Sequence, residues 1–343
     1  MEPPDRLITI RAEPFNAEAP LAALELPITP TDLHFVRRSF ALPKHDGRLA
    51  IGGAVANPYT LTLDDLRRMD RSELVVTLEC AGNARLGQTP LPTGEPWTGN
   101  AVSTARWTGV RLHDVLREAR PSAGGVEVSF QGADRGPGHE GADVNFVRSL
   151  PFDRAVDPAA EILIAFEMNG EPLNAEHGAP FRLIVPRWYA IASVKWLTRI
   201  DVLTAPFQGM FQTHRYVYYW PDRPEEPVTL MLPRAKIMAP SPGETIRAGN
   251  YVARGKAWSG SGPITSVEVS TDGGDWRAAE LDAPSGEYQW QAWSYAWHLN
   301  EAGRHTLRAR ATDVAGNVQP EAHRWNRLGY GNNAVELVYV NVE

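Results

Sequence analysis

An α+β domain followed by an all-β, immunoglobulin-like sandwich is predicted by three features of the 343-residue sequence. Up to about residue 220, apolar runs of strand length are interspersed with a few short helical patterns, a mixture that favours α+β over a doubly wound sheet. Six prolines then fall between Trp220 and Glu244, a composition shift typical of domain boundaries. Beyond them, segments such as Ile264 to Val269 and Asn333 to Val340 alternate with period two, and turn clusters (Asp272 to Gly274, Asp313 to Asn317) recur at sandwich spacing.

Residues 1–30 are proline-rich with little periodicity, which predicts an extended arm on the surface or over a partner. The first domain is expected over 31–220. Arg48 to Val55 has strand character. Thr62 and Asp65 make a capping-box pattern for a short helix in which Leu63, Leu66 and Met69 share a face. Val75 to Leu78 predict a buried strand and Ala81 to Asn83 a turn, so Cys80 stands at a strand end. Leu112, Val115, Leu116 and Ala119 repeat at helical spacing. Strands are predicted at Val126 to Phe130, Glu161 to Met168, Phe181 to Val185 and Ser193 to Leu203. A linker is expected over 221–243 and the sandwich over 244–343, with Trp290, Trp293, Tyr295 and Trp297 as core and interface anchors.

A net charge of −7 without a basic run argues against nucleic-acid or membrane-surface binding, and suits a basic protein partner. No stretch approaches the roughly 18 apolar residues needed to span a bilayer. The N-terminus has no secretion-signal pattern, so a cytoplasmic location is expected, or a periplasmic one if a leader has been removed.

Cys80 is the single cysteine, which excludes an internal disulfide and any zinc site built on two or more thiolates. A lone thiol at a strand end is a metal ligand, a nucleophile or a small buried hydrophobe. A nucleophile needs a histidine, and His34, His113, His139, His177 and His214 are all candidates. GxGxxG, P-loop, HExxH and GxSxG motifs are missing. One thiolate on a soft metal whose other ligands come from an organic cofactor fits the cysteine count better.

The motifs LECAGNAR (78–85), STARWTGVRLHDVL (103–116), AFEMNGEPL with EHGAPFRLIVP (165–186) and SVKWLTRIDV (193–202) occur in order. In them the chain closely resembles the sulfite oxidase family of molybdenum cofactor enzymes over about residues 30–220, and the β-domain resembles that family's C-terminal dimerisation domain. The resemblance implies molybdenum bound by a molybdopterin dithiolene, with Cys80 as the protein's metal ligand. It implies Arg37 and Arg85 as substrate-anion arginines and Tyr216 as the active-site tyrosine. Cofactor contacts would fall on Phe35, Val36, Arg37, Arg38, Ser39, Asp134, His177, Arg182, Ser193, Val194 and Lys195. The implied reaction is oxygen-atom transfer that turns sulfite into sulfate, with two electrons passed to an external acceptor such as a c-type cytochrome, in a homodimer. A nitrate reductase-like or sulfane dehydrogenase-type enzyme is the related alternative, and a non-enzymatic interaction protein the distant one.

Two departures from the family pattern stand out. Arg38 and Ser39 follow Arg37 where asparagine and histidine are usual, and Arg187 to Ala192 carry bulk where glycines and an arginine are usual. Both are expected to alter access of substrate or acceptor more than metal loading.

Overall fold

The computed structural model describes residues 6–138, 141–220 and 222–343. His139 therefore lies outside the described residues. Two five-stranded sheets build the first domain. One runs Glu171–Pro172, Leu163–Met168, Val102–Arg111, Arg71–Glu79, with Arg182–Ile184 also on Leu163–Met168. The other runs Tyr59–Thr62, Arg48–Gly53, Leu197–Leu203, Glu127–Pro137, Asp143–Pro151. Between them lies one core in which Ile51, Phe130 and Ile200 of one sheet meet Val110, Phe166 and Leu183 of the other. Burying that many fully enclosed aliphatic and aromatic side chains, at about 1.5–3 kcal/mol each, drives the two sheets together.

Both predicted helices form. Leu63–Arg68 starts on the complete capping box of Thr62 and Asp65. Leu112–Ala119 buries Leu112, Val115, Leu116 and Ala119 and stops where Arg120 turns left-handed at φ 54°. The central strand Val102–Arg111 had no clear strand pattern, because its inward positions include polar residues. Ser103 and Thr104 are fully buried; Ser103 Oγ accepts the Phe35 N–H and Thr104 Oγ1 meets Thr77 Oγ1 at 2.5 Å. Buried hydroxyls satisfied in this way need no apolar alternation.

The N-terminal stretch corrects the expectation of a surface arm. Ile8–Arg11 and Asn16–Glu18 form a hairpin, Leu21–Glu25 is a short helix, and Asn16 to Ala19 are fully buried. The Glu18 carboxylate accepts the N–H groups of Thr98, Gly99 and Asn100 and the Thr98 hydroxyl. Those four donors repay the desolvation of a buried charge. The predicted strand from Ser193 starts only at Leu197, because Ala190–Ala192 form a helical turn and Trp196 is left-handed at φ 50°. That leaves 193–195 irregular, which matters for the site.

The expected linker is also shorter than 221–243. Arg234–Ala239 is a fully buried strand of the second domain, pairing with Gly249–Trp258 and followed in that sheet by Gln291–Leu299 and Glu280–Leu281. The facing sheet runs Thr245–Ile246, Leu337–Val342, Gly303–Asp313, Ile264–Thr271, Arg277–Ala278. Trp293 and Trp297 lie in the core between the sheets. Trp290 instead joins the domains, its N–H donating to Thr77 Oγ1 at 2.9 Å and its indole to the Pro27 carbonyl at 3.3 Å. Among the described residues no helix is long and apolar enough to cross a membrane.

Candidate active site

Cys80 follows directly on the strand Arg71–Glu79 and is held by backbone bonds, its N–H to the Ala101 carbonyl and its carbonyl from the Asn83 N–H, both 2.9 Å. Asn83 closes the turn, donating to Glu79 Oε1 and accepting the Ala101 N–H. Burial pushes the thiol pKa up, against the pull of the Arg37 and Arg85 charges. A free thiol here stays protonated at neutral pH and is a poor nucleophile.

Two cavities meet at this residue and share Arg37, Cys80 and Tyr216. The first, with about 690 Å³ of empty space, is lined by Phe35, Ser39, Asp134 and His177 together with Arg182, Ser193, Val194 and Lys195. The irregular 193–195 segment thus becomes cavity wall. Arg182 donates to the carbonyls of His177 and Ser193 at 3.1 and 3.0 Å and lies 4.9 Å over the Trp107 ring. Burial alone brings its pKa down to about 9. Lys195 donates to the Glu176 carbonyl and is held well below its ordinary value by burial and by Arg182. Asp134 is pushed up to about 6 by burial, with Lys195 pulling the other way. His177 is lowered to about 3 by burial and Lys195, and His34 is lowered too. Each ring donates one N–H to a backbone carbonyl, His177 to Thr31 and His34 to Phe35. His113 and His214 line neither cavity.

The second cavity, about 660 Å³, is lined by Arg37, Arg85, Arg215 and Tyr216 together with Trp97, Leu328 and Tyr330. Arg37 is half-buried, with Nη1 bonded to Asn16 Oδ1 at 3.3 Å and to the Arg38 carbonyl. Its pKa is raised: burial opposes the charge, but Tyr216, Cys80, Glu95 and Tyr330 outweigh it. Tyr216 sits in the left-handed region at φ 56°, a cost of about 1–3 kcal/mol that fixed surroundings must hold. Its ring stacks on Tyr330 at 4.9 Å.

Of the expected site residues, Val36 and Arg38 line neither cavity. Val36 pairs with Ala17 in the hairpin. Arg38 is buried against Glu13 and Glu176, at 3.5 and 3.4 Å, so its charge is answered within the protein and adds nothing to the anion pocket. The bulk at 187–192 also turns away from it. Trp188 packs in the first core, and Tyr189 and Arg187 reach toward the second domain through Thr229, Leu232 and Glu287; only Ala190 and Ile191 reach the cavity. Sequence reasoning missed Leu328 and Tyr330, which come from the second domain. The glycine- and asparagine-rich GYGNN run at 329–333 marks the tight turn that delivers them.

Among the described residues no group of three His, Cys, Asp or Glu side chains is placed to hold a metal. A metal at Cys80 must bring other ligands with it. A cofactor-borne metal meets that demand, and the sequence match of the first domain places the chain in such a class, the molybdopterin-binding oxidoreductases. Residues 39–211 match the oxidoreductase molybdopterin binding domain and residues 228–343 the Mo-co oxidoreductase dimerisation domain. Mitochondrial sulfite oxidase of Homo sapiens is 38% identical over 96% of this chain and 64% of its own length. Sulfite oxidase of Gallus gallus is 37% identical over 92% of this chain and 74% of its own. The solved structure of the sulfane dehydrogenase SoxCD from Paracoccus pantotrophus aligns over 96% of this chain and 87% of its own with a TM-score of 0.82 and 30% identity. The chain belongs to the sulfite oxidase family, and it spans 64% of the length of the human relative.

The residues present fit that family's cofactor. The first cavity is lined by a single thiol and by the cations Arg182 and Lys195, and among the described residues no carboxylate bonds Arg182. Among the described residues the Arg182 Nε–H is buried without a partner. An anionic phosphate satisfies such a donor.

Proposed function

We propose that the chain oxidises sulfite to sulfate, SO₃²⁻ + H₂O → SO₄²⁻ + 2H⁺ + 2e⁻, with the electrons passed to an acceptor outside these 343 residues. The observation that carries this reading is a cavity lined by Cys80, Arg37 and Arg85 in which, among the described residues, no carboxylate is bonded to either guanidinium. Two fixed guanidinium groups bind a small dianion through charge-assisted bonds and orient it toward the metal. The Tyr216 phenol, fixed by its stack on Tyr330, is a donor for a developing sulfate oxygen. Cys80 would hold the metal, and Arg182, Lys195 and His177 the phosphate end; the bound cofactor supplies two-electron oxygen-atom transfer. Asp134, Phe35, Ser39, Ser193 and Val194 would shape the wall between. The acidic net charge suits a basic acceptor such as a c-type cytochrome.

The second domain is read as an immunoglobulin-like sandwich that pairs two copies of the chain. In support, Leu337 and Tyr339 are exposed on its outer face while Val338 and Val340 fill its core. Strand directions of the two sheets crossing near 90° instead of about 30° in a crystal structure would overturn the first part.

The test is sulfite-dependent reduction of ferricyanide and cytochrome c by cofactor-loaded protein sedimenting as a dimer. Turnover with nitrate or thiosulfate and none with sulfite would replace the reading with its nitrate reductase-like or sulfane dehydrogenase-type alternative. A second expectation concerns the cofactor-free protein. Millimolar phosphate should raise its melting temperature, since a ligand at 100 times its Kd adds about 2.7 kcal/mol. Arg182→Met should melt higher without phosphate and lose the phosphate response; an unchanged response would remove Arg182 from the phosphate site.

A further inference from the structure

The turn that carries Cys80 and Arg85 belongs to the first domain, yet five of the hydrogen bonds that hold it come from the second. The Gly331 N–H donates to the Ala81 carbonyl at 2.8 Å, and Asn332 Nδ2 to the Ala84 carbonyl at 2.8 Å. The Leu328 carbonyl accepts both Nε and Nη2 of Arg85, at 3.2 and 3.1 Å, and the Gly329 carbonyl accepts Gln88 Nε2. The first domain supplies one bond to that guanidinium, from Nη1 to the Glu95 carbonyl at 2.7 Å. All three bonds end on neutral carbonyl oxygens. The nearby Glu95 carboxylate is taken up by Arg11 at 3.0 Å.

The distinction has a physical consequence. A carboxylate would fix the guanidinium and cancel the field that attracts an anion; carbonyl oxygens fix it and leave its charge intact. The loop that presents the Leu328 carbonyl is itself locked. Asn326, 1% exposed, accepts the Tyr330 N–H at 3.1 Å and donates to the Tyr330 carbonyl at 2.8 Å. Gly329, at φ +64°, leaves room where a β-carbon would press on Arg85 Nε and Pro92.

We infer that the second domain sets the anion affinity of the active site, with Asn326 and Asn332 as positioning residues that act through the Leu328 and Ala84 carbonyls on Arg85. This rests on Arg85 being a substrate arginine, as proposed above. It assigns the domain a part in substrate binding in addition to any part in pairing chains.

The experiment uses full-length, cofactor-loaded protein as wild type, Asn326→Ala and Asn332→Ala. Sulfate affinity is measured by titration calorimetry, KM and kcat for sulfite by ferricyanide reduction, and molybdenum content by elemental analysis. Each variant that keeps its molybdenum should bind sulfate about tenfold more weakly and raise KM about as much, with kcat within about threefold of wild type. A domain that merely holds the fold together would leave affinity and KM unchanged, and that result overturns the inference. If Asn326→Ala does not fold, the half-buried Asn332→Ala decides alone. If wild type binds sulfate but oxidises no sulfite, the proposed reaction fails while sulfate affinity still judges the inference.

Discussion

Cys80→Ser is expected to fold, to melt close to wild type and to lose sulfite oxidation by more than about 100-fold. Losing a residue that merely supports a metal ligand costs roughly 10–100-fold, so removal of the protein's own ligand should exceed that range. Serine nearly matches the thiol in volume, and the backbone bonds that hold residue 80 do not involve its side chain. A hydroxyl does not become an anionic ligand as a thiol does when a metal displaces its proton. The ratio of molybdenum to protein and the rate of ferricyanide reduction check this together. A variant that keeps both at wild-type levels would return Cys80 to the status of a small buried hydrophobe.

The largest effect on stability is expected at Arg234. This residue is fully buried, donates to Glu336 Oε1 at 2.6 Å and to the Asn332 carbonyl at 3.0 Å, and lies 3.6 Å from Glu79 Oε1. Burial opposes its charge, but Glu336 and Glu79 outweigh burial and raise its pKa. In Arg234→Met, Glu336 keeps Lys236 at 3.3 Å, while Glu79 is left with only the neutral donors Asn83 and Trp258. Leaving one partner of a buried pair uncompensated costs about 3–5 kcal/mol. Urea unfolding should show that loss, and Glu79→Gln combined with Arg234→Met should recover at least a third of it. A loss in the double variant equal to the sum of the two single losses would mean that the pair is not coupled.

Much of the fold was legible where a single physical demand shapes the residues. The capping box at Thr62, the four-residue apolar face of Leu112–Ala119 and the period-two strands of the second domain each answer one requirement locally. The cofactor class was legible in the motifs around Cys80, where a count of one thiol removes disulfides and multi-thiolate zinc sites. What was not legible depends on partners far away in the chain. Glu18 reads as surface charge until Thr98 to Asn100 close around it, and Arg38 reads as an added pocket charge until Glu13 and Glu176 take it up. Trp188 reads as bulk beside a cofactor until it turns into the core. The Leu328 carbonyl is a backbone group, and residue identity carries no sign of what a backbone oxygen will accept.

On the proposed reading, the two cavities that meet at Arg37, Cys80 and Tyr216 would separate the cofactor's seat from the substrate's. A bulky tenant bound by Arg182 and Lys195 would occupy the first cavity, and small visitors would use the second, which Arg215 lines. Residence and exchange would then fall to different walls. Substitutions at Lys195 should therefore change how long the tenant stays, and substitutions at Arg215 how quickly visitors arrive.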